Sequence, residues 1–122
     1  MHEIKPIELK ATLSQLYLHK KIITVTWQQI QWCEDYPDDF ADTYKPIFIS
    51  DKILRKLGFS ESTLEGFELY GFKITEVDFK YFLQFPNSLF KIEIKYIHTL
   101  QDMIHSYCGK TIRLPMNLKF RI

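Results

Sequence analysis

Lys73-Ile74-Thr75-Glu76-Val77-Asp78-Phe79-Lys80-Tyr81-Phe82-Leu83 and Leu89-Phe90-Lys91-Ile92-Glu93-Ile94-Lys95-Tyr96 carry the clearest pattern in this chain. In the first, Val77, Phe79, Tyr81 and Leu83 alternate with Glu76, Asp78, Lys80 and Phe82. In the second, Phe90, Ile92, Ile94 and Tyr96 alternate with Lys91, Glu93 and Lys95. Period two is the signature of strands with one wet face and one apolar face. Pro86-Asn87-Ser88 supplies a turn between the two runs, and Phe67-Glu68-Leu69-Tyr70 reads as a preceding strand. The pattern predicts a three-stranded antiparallel meander whose apolar face needs a cover.

A cover follows directly. Ile97, Leu100, Ile104, Tyr107 and Cys108 fall at helical spacing, and Gly109 stands where such a helix ends. Upstream, Ser50 and Asp51 suit the start of a second helix, with Ile53, Leu54 and Leu57 as its buried stripe and Gly58 as its stop. Residues 34–46 read as a loop, because two prolines and a carboxylate cluster oppose regular structure. Trp27-Gln28-Gln29-Ile30-Gln31-Trp32-Cys33 fits a strand or a short helix. Before it, Leu16 to Trp27 reads as a hairpin around a basic turn. After the helix, Ile112-Arg113-Leu114 and Leu118-Lys119-Phe120-Arg121-Ile122 alternate again as an extended tail. The resulting expectation is an α+β fold: a small antiparallel β-sheet meander covered by a helix, with an N-terminal β-hairpin or small-barrel-like part. A length of 122 residues suits one domain, 1–122.

Composition bounds the function. Aromatic residues make up 16% of the chain, which favours strands and also furnishes interface anchors. Sixteen basic residues against fifteen acidic ones leave a net charge of +1, without the global basic excess of a dedicated nucleic-acid binder. Cys33 and Cys108 lack metal-type spacing, and the opening residues from Met1 to Pro6 are polar, unlike a signal peptide. No apolar run approaches the ~18–20 residues of a membrane span. The expected compartment is the cytoplasm, with both thiols free.

Catalytic signatures are absent. Four scattered glycines build neither a phosphate-binding loop nor a dinucleotide fingerprint, and no nucleophile elbow occurs. His98 and His105 are two helical turns apart, too far to share a metal. His98 reads as a polar helix-face residue, and Cys108 as a small hydrophobe on the buried stripe. The expectation is a protein that is not an enzyme, with no cofactor and no metal.

Two charged segments remain as candidate surfaces. Glu34, Asp35, Asp38, Asp39 and Asp42 put five carboxylates within nine residues, interleaved with Tyr36 and Phe40. Carboxylates around aromatic anchors can dock on a basic groove that otherwise holds nucleic acid. The plain alternative is a solvated loop. At the other end, Lys110, Arg113, Lys119 and Arg121 could meet phosphates, or simply protect an exposed strand edge.

Lys45-Pro46-Ile47-Phe48-Ile49-Ser50-Asp51-Lys52-Ile53-Leu54-Arg55-Lys56-Leu57-Gly58-Phe59 resembles a recurrent PIPLTEEILLKFGF stretch, and Lys95-Tyr96-Ile97-His98-Thr99-Leu100-Gln101 resembles its companion KYVHQLQ. Both occur in small proteins encoded by phage and prophage regions of certain Gram-negative bacteria. The likeness covers roughly residues 15–109. Gly109-Lys110 departs from the longer ALTG helix end of that family, and the C-terminal segment has no counterpart. The family carries no assigned catalytic residues, so none transfers. The resemblance implies a phage-associated protein in the cytoplasm of a bacterial host. Its general character is similar to anti-CRISPR inhibitors, including one acting on the type VI-B RNA-targeting effector. The partner expected on that reading is a host defence effector, bare or carrying its guide RNA. Two alternatives stand beside it: a small nucleic-acid-binding phage accessory protein using the basic C-terminal patch, and a phage scaffold or assembly component.

Overall fold

Thr26 turns the ambiguous stretch after the hairpin into a helix. Its hydroxyl accepts from the Gln29 N–H at 3.4 Å, and the Gln29 side-chain oxygen accepts from the Thr26 N–H at 2.7 Å. This reciprocal capping box satisfies two amide donors that a helix start leaves open. The computed structural model describes residues 4–18, 21–62 and 66–116. After a short 3₁₀ turn at Pro6–Glu8, the elements run β1 (Gln15–Leu18), β2 (Lys21–Thr24), α1 (Trp27–Asp35), α2 (Pro37–Thr43), β3 (Tyr44–Lys45), α3 (Asp51–Leu57), β4 (Ser60–Ser62), β5 (Gly66–Leu69), β6 (Phe72–Val77), β7 (Lys80–Gln84), β8 (Lys91–Ile94) and α4 (Ile97–Cys108). The fold is mixed α+β with two antiparallel sheets, of three strands (β2-β1-β3) and five strands (β4-β5-β6-β7-β8).

Two compact units divide the chain: Met1–Phe48 with Tyr96–Ile122, and Ile49–Lys95. In the first, β1 pairs with β2 as the expected hairpin, with Leu18 opposite Lys21, and its other edge takes β3. Its core gathers Ile4, Leu9, Leu16, Val25, Ile30, Cys33, Phe40 and Tyr44. Residues 37–43, expected as a loop, form α2 instead. Pro37 occupies the first turn, where its missing N–H costs nothing, and Asp38 and Asp39 suit the positive end of the helix dipole. The residues that looked like loop formers are helix starters. Of the extended tail expected after α4, residues 112–114 keep their alternation without becoming a strand: Ile112 and Leu114 are buried and Arg113 is exposed, while residues 118–122 lie outside the described residues.

The polar heart of this unit is a pair of buried glutamines. Gln15 on β1 donates its backbone N–H to Gln101 Oε1 at 2.9 Å, and Gln101 Nε2 donates to Gln15 Oε1 at 2.9 Å. Gln101 Nε2 also reaches the Ile112 carbonyl at 3.1 Å. Gln15 Nε2 donates to the Leu114 carbonyl at 3.0 Å, and the Leu114 N–H returns to Gln15 Oε1 at 2.6 Å. One strand, one helix and the tail are thereby joined by groups with no access to water. α4, placed over the meander by its sequence position, has these partners in the first unit.

The second unit holds α3 and the five-stranded sheet. Ser50 caps α3 by accepting from the Ile53 N–H at 3.2 Å, and Gly58 ends it in the left-handed region. Ile53, Leu54 and Leu57 are buried as the spacing predicts. The Tyr81 hydroxyl donates to Asp51 Oδ1 at 2.7 Å and fastens α3 to β7. The run from Lys73 to Leu83, read as one strand, is a hairpin. Asp78 and Phe79 both take positive φ, 52° and 64°, in a two-residue turn between Val77 and Lys80. That geometry matches the right-handed twist of the flanking strands, but it normally calls for Asn-Gly or Asp-Gly. Alternation hid the turn, since a two-residue turn leaves the apolar period unbroken. Val77 and Phe79, expected on the buried face, are exposed, Phe79 at 95%.

Two changes test these assignments. Gln101→Ala strands the Gln15 N–H and the Ile112 carbonyl in the core, and is expected to cost about 2–5 kcal/mol in urea denaturation. Phe79→Gly removes an unfavourable left-handed side chain that buries nothing. It is expected to raise stability by about 0.5–1 kcal/mol in the same assay.

Candidate functional site

The acidic segment is a helical corner. α1 closes at Asp35, Tyr36 serves as the C-terminal cap of α1 and the N-terminal cap of α2, and α2 starts at Pro37. Glu34, Asp35, Asp38, Asp39 and Asp42 are all exposed, and Tyr36 stands among them at 59% exposure. Asp35 accepts a hydrogen bond from Gln31 Nε2 at 3.1 Å. Among the described residues, none of the five carboxylates enters an ion pair. Five like charges held without a counter-ion repel one another, and the corner persists because the ring cluster beneath it is tightly packed. Phe40 lies 4.6 Å from Tyr44 and 5.7 Å from Trp32, centroid to centroid, and Trp32 meets Tyr44 edge-on at 5.9 Å. Phe40 is therefore a core residue and not the contact anchor its sequence position suggested. Helical periodicity explains this: once residues 37–43 coil, Phe40 points opposite to Asp38 and Asp42. Tyr36 is the exposed aromatic of the corner.

The basic C-terminal candidates are only partly brought together. Arg113 and Lys110 are exposed, and Lys119 and Arg121 lie outside the described residues. Arg113 donates to the Thr12 carbonyl at 2.5 Å, where Thr12 takes a positive φ of 65°. Together with Lys10, Asp102, His105 and Ser106 they line an open cavity of about 230 Å³. Two cationic side chains, an imidazole and one carboxylate there make a shallow surface of mixed charge.

The chemistry-bearing side chains outside these surfaces are accounted for by packing. Cys33 is buried, with its thiol on the Ile4 carbonyl at 3.4 Å. Cys108, expected on the buried stripe, is exposed at the last turn of α4, where its thiol donates to the Ile104 carbonyl at 3.3 Å. Neither cysteine is in a disulfide. Among the described residues no three His, Cys, Asp or Glu side chains converge as a metal site, and no helix is long and apolar enough to cross a membrane.

His98 is the residue whose environment the sequence misjudged most. It is fully buried in the first unit, stacked at 7° on Tyr96 with ring centroids 5.5 Å apart. Its Nε2 faces Glu8 Oε2 at 3.5 Å, whereas Nδ1 has no hydrogen-bond partner among the described residues. A neutral ring with its proton on Nε2 leaves only a lone pair at Nδ1; a charged ring would strand an N–H there. Burial holds the His98 pKa below the ordinary histidine value, against the opposing pull of Glu8 and Asp102. Comparison with protein-family models, curated proteins and solved structures gave no match.

The lowered pKa of His98 has a defined sign. Below about pH 6.5 the unfolded chain protonates this ring while the folded one resists, so the unfolded state binds more protons and stability falls as the pH is lowered. The urea midpoint is expected to drop between pH 7.5 and pH 5.5, and His98→Gln to flatten that drop. A variant with the wild-type slope would assign it to other groups.

Proposed function

We propose that this protein acts by binding another protein, as a phage-associated inhibitor of a host defence nuclease. The observation that carries the reading is the α1–α2 corner, with five solvated carboxylates that form no ion pair among the described residues around an exposed tyrosine. Such a surface resembles a nucleic-acid backbone in charge, and Tyr36 adds the flat ring that a base would supply. Its complement is a basic groove built to hold nucleic acid. An RNA-guided nuclease has such a groove, and the type VI-B effector is the one to which the likeness with phage proteins leads. Inhibition on this reading is competitive: the corner occupies the channel that guide or target RNA needs. No residue of the inhibitor performs chemistry.

The mixed charge around Arg113, Lys10, His105 and Asp102 favours the protein partner over direct phosphate binding. Nucleic-acid binding by the isolated chain would be weak and strongly salt-dependent.

The test is target-RNA cleavage by a type VI-B effector titrated with the purified chain at 150 mM salt. The wild type is expected to suppress cleavage. The combined Glu34→Gln, Asp35→Asn, Asp38→Asn, Asp39→Asn and Asp42→Asn variant is expected to bind at least about tenfold more weakly, mainly through slower association. Circular dichroism checks that the variant folds. Inhibition unchanged by neutralisation would remove the corner from the interface, and no inhibition by the wild type would remove this partner.

A further inference from the structure

β8 is the outermost strand of the five-stranded sheet, and β7 is its one neighbouring strand among the described residues. The direction of its free backbone groups follows from the β6–β7 hairpin. Val77 and Lys80 flank a two-residue turn, so they exchange hydrogen bonds, and Lys80, Phe82 and Gln84 point their backbone groups at β6. Tyr81 and Leu83 then serve β8, through Ile94 and Ile92. That leaves the N–H and C=O groups of Lys91 and Glu93 facing outward. The next residue of the same parity agrees: the Lys95 carbonyl accepts from the Ile49 N–H at 2.9 Å, so the open stretch ends there.

The side chains on this edge are unusual for a solvated strand. Ile92 lies on the sheet face that also carries the buried Leu83 and Ile94, yet it is 44% exposed, and Phe90 beside it is 83% exposed. Lysines on an edge ordinarily keep other strands away. Here Lys91 is followed two residues on by Glu93, on the opposite face from Ile92.

We infer that β8 is a self-pairing edge, and that its occupant is the β8 strand of a second copy of this chain. Placed antiparallel about a two-fold axis through Ile92, Lys91 of each copy falls opposite Glu93 of the other. Those pairs are the ones whose backbone groups point outward, so four hydrogen bonds form. Each lysine meets a glutamate on one face. On the other face the two Ile92 side chains meet at a closely spaced position, and each Phe90 falls opposite an Ile94. Sequence self-complementarity in charge, backbone parity and the exposed apolar pair all select this one register. A strand from a different protein would need only the backbone groups, and the alternation of Lys91 and Glu93 would then be without purpose.

Sedimentation equilibrium on the full chain between about 1 and 500 µM tests the pairing. A short ladder of this kind sits at the small end of specific interfaces, and a dissociation constant of about 10–100 µM is expected. Lys91→Glu alone sets Glu against Glu93 twice over, and Glu93→Lys alone sets Lys against Lys91. Each single variant is expected to weaken the dimer about tenfold at low salt. The doubly exchanged chain, Lys91→Glu with Glu93→Lys, is expected to recover wild-type association. A chain that stays monomeric to 500 µM, or a dimer that none of the variants disturbs, overturns the proposal. Failure of the exchanged chain to recover, with its circular dichroism unchanged, overturns it as well. Nuclease inhibition does not enter this readout, so the pairing and the proposed function stand or fall separately.

Discussion

The reciprocal amide pair between Gln15 and Gln101 is the constraint on which the first unit depends. Both side chains are wholly buried, and each amide is engaged on both its oxygen and its nitrogen. A buried amide left unpaired costs more than a satisfied one gains, so the network admits essentially one arrangement of β1, α4 and the tail. Apolar packing alone would tolerate α4 turned or shifted by a fraction of a turn. The glutamines do not, and the tail that carries Arg113 is held at the edge of its cavity by the same bonds.

A second constraint supports the acidic corner. Five like charges on two short helices would be unstable in isolation, since neither α1 nor α2 reaches the length at which helices persist by themselves. The Trp32–Phe40–Tyr44 cluster supplies the missing stabilisation. Tyr44 also accepts from Gln29 Nε2 at 3.1 Å, tying the cluster back to the capping box that begins α1. Charge on the outside and aromatic packing on the inside are thus one device: the rings hold in place a surface that electrostatics would disperse.

Much of the architecture was legible in local patterns. The hairpin at the start, α3 with Ser50 and Gly58 at its ends, and α4 closed by Gly109 all follow from turn and capping chemistry that acts over three or four residues. The misreadings have a common cause: one residue type serves two structures. Pro37 followed by Asp38 and Asp39 starts a helix as readily as it breaks one. Asp78-Phe79 lacks the glycine that announces a tight hairpin, and the alternation on either side runs straight through it. His98 and Gln101 are polar, and helix periodicity by itself assigns polar residues to water.

The sequence by itself determined the class of fold, the ends of α3 and α4 and the acidic character of residues 34–42, because each rests on composition or on short-range spacing. Tertiary structure decided which of those residues face outward. It buried Phe40 and left Tyr36 exposed, enclosed His98 beside Glu8, and matched Gln15 with Gln101 across 86 positions. It also set the outward backbone groups of Lys91 and Glu93 at a sheet edge with no second strand beside them among the described residues. Burial and strand order arise from contacts between distant segments, and no window of neighbouring residues encodes them.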